Sequence, residues 1–190
     1  MKTKFPHADA LAVAQELQSI LAPACRRIAI AGSLRRLKPE VSGIELLFVP
    51  ILSERPDGLF DVKIVDVCDE VVQNLLATGV IKQRPNVHGH TTWGERNKLA
   101  IHVPSGIPVD LFGTSEQNWW VSLVVRTGSE ETNLRLTTGA NKQGASLMAY
   151  GIGVKWRSGV KWSDGNVTPA ISEQHVFAMC GVPYLEPSKR

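Results

Sequence analysis

Residues 31–38, AGSLRRLK, close a short apolar stretch in a Gly-Ser turn and follow it at once with two arginines. Such a turn exposes backbone N–H groups and a hydroxyl, which together can hold phosphate oxygens. Arg35 and Arg36 suit the same ligand, because a planar guanidinium meets two oxygens at once. Two acids lie in strand-like segments further on, Glu45 in IELLFV (44–49) and Asp110 in IPVDLF (107–112). Carboxylates on adjacent strands beside a phosphate-holding turn are what metal-assisted phosphoryl transfer needs, since Mg2+ takes one or two carboxylates plus substrate phosphates. Each signal has a plainer reading. A Gly-Ser turn is commonly only a turn, and an arginine pair a solvated face. Asp110 among apolar neighbours serves equally as half of a structural salt bridge, because an unpaired buried carboxylate is expensive.

The elements that must position these residues follow from apolar spacing. Leu11, Ala14, Leu17 and Leu21 repeat at helical intervals over residues 8–22, and Pro23 stops the run. RIAIAG (27–32) is a short strand, and IELLFV, apolar nearly throughout, is a strand buried on both faces. A helix is expected over 70–80, then a hairpin of KLAIHV (98–103) and IPVDLF around Pro104-Ser105-Gly106. Beyond this the pattern turns helical. EQNWWVSLVVR (116–126) is one helix, Ser129 with Glu130 and Glu131 starts another to about Gln143, and Ser172 caps a short last helix. YGIGVKW and GVKW are expected to form a hairpin around Arg157-Ser158-Gly159. The reading is an α+β fold: a mixed sheet flanked by helices over 1–115, and a small, mostly helical subdomain with a hairpin over 116–190.

Composition permits this and narrows the rest. The chain has 190 residues, 43% of them apolar and 21% charged, enough for one sizeable core or two small lobes. No apolar run approaches the roughly 20 residues that span a bilayer, and the N-terminus lacks the apolar core of a signal peptide. Three scattered cysteines without a CxxC fit reduced thiols and a cytoplasmic setting. A net charge of +3 allows a polyanionic partner without demanding one.

GSLRR…VSGIELLFVP resembles the nucleotidyltransferase signature of the family X DNA polymerases, the group of DNA polymerase beta. Those proteins carry Gly-Ser, Arg-Arg and then Gly-Asp-x-Asp at a strand start. IPVDLF resembles the strand of their third carboxylate. LVVRTGSEETNLRLTTGANKQGASLMAYGI resembles the Thr-Gly-Ser segment and the helix after it, and ISEQHVFAMCGVPYLEPSKR the closing helix and Pro-Tyr…Glu-Pro…Arg tail. The likeness runs in order over nearly the whole chain, nearest to short phage and bacterial two-lobe members without a lyase domain.

The resemblance implies a nucleotidyltransferase palm and a thumb-like subdomain. It implies a minimal template-directed DNA polymerase, distributive and gap-filling, using Mg2+, for which Mn2+ can substitute. Primer-template or gapped DNA and deoxynucleoside triphosphates are the implied partners of a monomer placed in a bacterial nucleoid or encoded by a phage. Ser33 and Arg36 would grip the triphosphate, and Glu45 and Asp110 would be metal ligands, Asp110 nearest the primer 3′-hydroxyl. Gly128 and Ser129 would form the turn under the deoxyribose, with Glu130 and Asn133 beside the base. Arg126, Arg96 and Lys98 are candidate DNA contacts, and Lys4 a weaker phosphate contact.

Three departures stand out. Gly43 occupies the first Asp of Gly-Asp-x-Asp, Glu45 the second, and Val125-Arg126 replace an aromatic pair. In the family pattern the residue at position 43 is the catalytic acid that bridges both ions. Gly43 therefore either makes the chain a poor catalyst or marks one whose catalysis was removed. The alternative reading is a catalytically silent nucleotide- or DNA-binding protein; a transferase acting on RNA or protein is a third. His88 and His90 lack a regularly spaced third metal ligand, and Trp119 and Trp120 are expected to pack the second lobe. Lys155, Trp156, Lys161 and Trp162 are read as either duplex contacts or ordinary hairpin packing.

Overall fold

In a computed structural model describing residues 3–58, 61–156 and 166–190, the chain forms two compact units. One comprises the chain up to Ile30 with Pro39–Gly113; the other comprises Ala31–Lys38 with Thr114–Arg190. The Gly-Ser turn and its arginines, expected with the first lobe, thus pack with the second.

Elements of the first unit begin with β1 (Phe5–Pro6), α1 (His7–Leu21) and β2 (Cys25–Ile30). After α2 (Gly32–Arg35), which belongs to the second unit, come β3 (Glu40–Val41), β4 (Ile44–Pro50), β5 (Leu52–Asp57) and β6 (Asp61–Asp66). Then follow α3 (Val67–Ala77), β7 (Ile81–Gln83), β8 (Asn97–His102) and β9 (Pro108–Gly113). The main sheet has the order β2-β4-β9-β8-β7, with β4 and β9 parallel and the other pairs antiparallel. Helices α1 and α3 pack against β4. They bury Ala10, Ala14, Leu17 and Leu21 from one helix and Cys68, Val72 and Leu75 from the other. β4 is buried on both faces from Leu46 to Val49, as its unbroken apolar run requires.

The hairpin of β8 and β9 forms where the turn residues place it. α3 starts three residues before the expected position because Asp66 caps it, its carboxylate accepting from the Asp69 N–H at 2.8 Å. β5 and β6, absent from the sequence reading, form a two-stranded ribbon whose Leu52, Val62 and Ile64 are exposed.

The second unit adds α4 (Trp119–Thr127), α5 (Glu130–Lys142), β10 (Ala145–Leu147), β11 (Gly153–Trp156), β12 (Val167–Pro169) and α6 (Glu173–Met179). Ser129 caps α5 and Ser172 caps α6, both as expected. The core gathers Val121 and Val124 from α4, Leu136 from α5, Val154 from β11 and Phe177 from α6. Trp119 is buried and Trp120 packs on this core. β11 pairs with β10 and β12 in a three-stranded sheet. The tip of the expected hairpin, with Lys161 and Trp162, lies outside the described residues. Trp156 donates its indole N–H to Thr168 Oγ1 at 2.9 Å and packs on the core, which is its hairpin-packing reading. No described helix is long and apolar enough to cross a membrane.

Candidate functional site

Glu45 and Asp110 are register partners on the parallel strands β4 and β9. Partners on adjacent strands project to the same face, so the two carboxylates stand side by side, both partly exposed. Their neighbours Ile44 and Val109 point the other way and are fully buried. This is the adjacency that the sequence pattern demanded of two acids 65 positions apart in numbering (110 − 45).

Gly43 lies one alternation before Glu45 and shares its face. A Cβ there would stand 3.0 Å from the Pro108 carbonyl oxygen and 3.3 Å from Pro108 Cβ. The position is open to a side chain only if the β4–β9 edge gives slightly. Glycine supplies no side-chain oxygen, so Glu45 and Asp110 are the two carboxylates here, and no cluster of three or more His, Cys, Asp or Glu able to hold a metal occurs among the described residues.

Asp110 also accepts an ion pair from Arg84, whose Nη2 meets Oδ1. Arg84 follows β7 directly, its backbone N–H donating to the Leu99 carbonyl at 3.0 Å, and Leu99 is the antiparallel register partner of Asp110 on β8. Asp110 therefore sits beside Glu45 and is also half of a salt bridge. Both side chains are about a quarter exposed, at 23% and 26%. Spacing could not reveal Arg84; its local signal is a lone arginine ahead of Pro85.

The donor set fits one hard cation held by Glu45 and Asp110, with water and phosphate oxygens completing its shell. It does not fit two ions bridged by a shared carboxylate, because position 43 offers none. The Arg84 charge further weakens the pull of Asp110 on a cation.

In the second unit, α2 is a four-residue turn entered through Gly32, with Ser33 partly exposed on it. Arg35 Nη1 donates to Thr127 Oγ1 at 2.7 Å, and the same guanidinium grips Glu173 with two bonds of 2.8 and 2.6 Å. Arg190 donates to the Glu173 carboxylate at 3.0 Å and lies over the rings of Phe177 and Tyr184. Burial raises the pKa of Glu173, but the two guanidiniums outweigh it and hold the carboxyl below the usual glutamate range. Arg35 is thus committed to structure, which leaves Arg36 as the phosphate candidate of the pair.

Arg36 Nη1 donates to the Thr127 carbonyl. The next residue, Gly128, adopts φ 64° and ψ −152°, and a Cβ there would stand 3.2 Å from Arg36 Nη1 and 4.0 Å from Asn133 Nδ2. The Gly128–Ser129 peptide is cis. Arg36, Gly128, Ser129 and Asn133, expected together at the nucleotide, therefore do converge within one unit. Glycine is required by this backbone conformation, and a side chain here would also press on the tip of Arg36.

Two of these side chains have local duties. Ser129 Oγ accepts from the Thr132 N–H as the cap of α5. Asn133 Nδ2 donates to the Val125 carbonyl at 2.9 Å, which spends one amide hydrogen on backbone. Its Oδ1 is buried without a partner among the described residues. Glu130 is exposed in the first turn of α5.

The remaining candidates divide. Lys98, expected as a DNA contact, faces inward: its side chain is 6% exposed, with Nζ on Asp69 at 2.9 Å and on the Gly94 carbonyl at 3.1 Å. The strand alternation buries it, and the buried ammonium takes the partly exposed Asp69 carboxylate as partner. Arg96 is exposed. Arg126 lies over the Tyr150 ring and donates to its hydroxyl. Asn86 accepts from the backbone N–H groups of His88 and His90, which gives that loop an organiser of its own. Thr127, Glu173, Arg190 and Tyr150 went unread in the sequence because their roles depend on long-range pairing.

Residues 122–190 match the family model for the DNA polymerase beta thumb. No curated protein matches the chain. The fold is similar to that of polymerase beta from Leishmania infantum, solved as a ternary P/T complex, at a TM-score of 0.75 and 17% identity. That similarity covers 99% of this chain and 77% of the other. Residues 122–190 thus resemble the thumb of DNA polymerase beta, and the fold of the chain as a whole is similar to that of a polymerase beta.

Proposed function

We propose that this protein is a DNA-directed nucleotidyltransferase that extends a primer 3′-hydroxyl with deoxynucleotides, slowly and distributively. The observation that carries this is the register pairing of Glu45 with Asp110 on one sheet face. The thumb match and the likeness to a polymerase solved as a ternary P/T complex support it.

In this reading Glu45 and Asp110 would hold Mg2+, which when bound supplies charge stabilisation to the transferring phosphoryl group. Asp110 orients the primer terminus. Arg36 and Ser33 bind triphosphate oxygens, with the guanidinium anchored on the Thr127 carbonyl. Gly128 admits the sugar closely, and the Asn133 Oδ1, buried without a hydrogen-bond partner among the described residues, offers an acceptor beside the base. The protein works as a monomer on gapped or primer-template DNA. Its DNA affinity falls steeply with salt, since phosphate contacts release counterions.

A second reading, a deoxynucleotide- or DNA-binding protein without catalysis, is favoured by Gly43 and by the Arg84–Asp110 pair. Primer extension on gapped DNA, with Mg2+ or Mn2+ and with Asp110→Ala as control, separates them. Slow templated addition that Asp110→Ala abolishes supports the polymerase. Saturable deoxynucleotide binding without incorporation under either metal selects the silent binder. Addition independent of template overturns both in favour of another transferase.

A further inference from the structure

Cys25 and Cys68, both in the first unit, bring their sulfurs to 3.6 Å. Cys25 opens β2 and is partly exposed, whereas Cys68 lies in the first turn of α3 and is fully buried. A single residue fixes their approach. The Ile51 N–H donates to the Ala24 carbonyl at 2.9 Å, and the Val67 N–H donates to the Ile51 carbonyl at 3.0 Å. The backbone just ahead of each cysteine is therefore tied to the same point, and the contact does not depend on two loose side chains.

The two thiols differ in character. A hydrogen bond from Cys68 favours the thiolate at Cys25 and lowers its pKa, while burial and the charge of Asp66 act the other way. The Cys68 thiol is pushed up by that same bond and by burial. The sulfur nearer solvent is the readier nucleophile, and the buried one keeps its proton. Cys180, in the second unit, resembles Cys68 and not Cys25. It is buried, and burial pushes its thiol up to about 11.

We propose that Cys25 and Cys68 form an oxidisable dithiol, a site where a hydroperoxide drives reversible disulfide formation. The Cys25 thiolate attacks a peroxide oxygen; an S–O bond forms, the O–O bond breaks and hydroxide leaves. The Cys68 sulfur then attacks Cys25; the S–S bond forms, the S–O bond breaks, and water departs with the Cys68 proton. Two thiols lose two electrons, and one hydrogen peroxide becomes two waters. The sulfurs must close by about 1.5 Å to reach disulfide length, a movement within reach of side-chain rotation. The link spans 43 positions and encloses the stretch that carries Glu45.

The test treats the native full-length chain with a small excess of hydrogen peroxide, then alkylates it and maps the peptides. The expected product is about 2 Da lighter, with a Cys25–Cys68 linked peptide that dithiothreitol reverses. Only Cys180 remains alkylatable after denaturation, and the melting temperature rises by several degrees because the link restrains the unfolded chain. Cys68→Ala should leave a sulfenic acid at Cys25 that dimedone captures. The wild-type arm stands even if a variant fails to fold. Three alkylatable thiols after treatment, sulfinic acid at Cys25 beside an intact Cys68, or disulfides between two chains would each overturn the proposal.

Discussion

Gly43 faces Pro108 so closely that its missing Cβ would stand 3.0 Å from the Pro108 carbonyl oxygen. Position 43 is where a third carboxylate would join Glu45 and Asp110, so chemistry and packing oppose each other there. Gly43→Asp should raise primer extension on the order of a hundredfold, the scale of one electrostatic contact to a transition state. It should also lower stability by about 1 kcal/mol from crowding at the β4–β9 edge. Gly43→Ala imposes the crowding without the charge and should lose stability with no gain in rate. Equal extension rates for the two variants would show that a third acid is irrelevant here.

The Arg84 guanidinium pairs with Asp110 and should compete with any cation that binds there. Arg84→Gln should strengthen Mn2+ binding by roughly fivefold, consistent with a partly exposed pair worth about 1 kcal/mol. Titration of Mn2+ by electron paramagnetic resonance reads this directly. A weaker ion in the variant would mean that Arg84 orients the carboxylate instead of competing for it.

Glu173 ties Arg35 to Arg190 in a buried network. Its pKa is depressed in the folded chain, so its stabilisation is present above the unfolded value and lost as pH falls through the folded one. Melting temperature should therefore drop below about pH 4, more steeply in wild type than in Glu173→Gln. At pH 7 the variant strands two guanidiniums and should lose about 3–5 kcal/mol. Matching acid limbs in the two proteins would contradict this account.

Gly128→Ala tests the turn that holds Arg36. Its φ of 64° with an extended ψ is a conformation essentially reserved to glycine, and the new methyl meets Arg36 Nη1 at 3.2 Å. Stability should fall by about 1–3 kcal/mol. Deoxynucleotide affinity should fall at least tenfold by calorimetry. Arg36→Ala should weaken the same binding with a smaller loss of stability, and unchanged affinity in both variants would remove this turn from the nucleotide site.

How far the sequence was legible depended on range. Local signals held: Ser129 and Ser172 cap their helices, and the Pro104–Gly106 turn makes its hairpin. The pairing of Glu45 with Asp110 was readable because each is a lone acid in an apolar strand and the motif order placed them together. What stayed hidden was who partners whom at a distance. Lys98 resembles a surface base until strand alternation turns it onto Asp69. Arg84 meets Asp110 only through the fold, and Glu173 binds Arg35 across 138 positions.

Because Ala31–Lys38 has its partners among Thr114–Arg190, the chain changes allegiance three times, near residues 30, 38 and 113. A fragment ending at Gly113 would keep the arginine turn but strip it of Thr127 and Glu173, leaving Leu34 and two guanidiniums without their neighbours. The polypeptide therefore resists simple dissection. Anyone wishing to swap or transplant one half must graft a short discontinuous piece along with it.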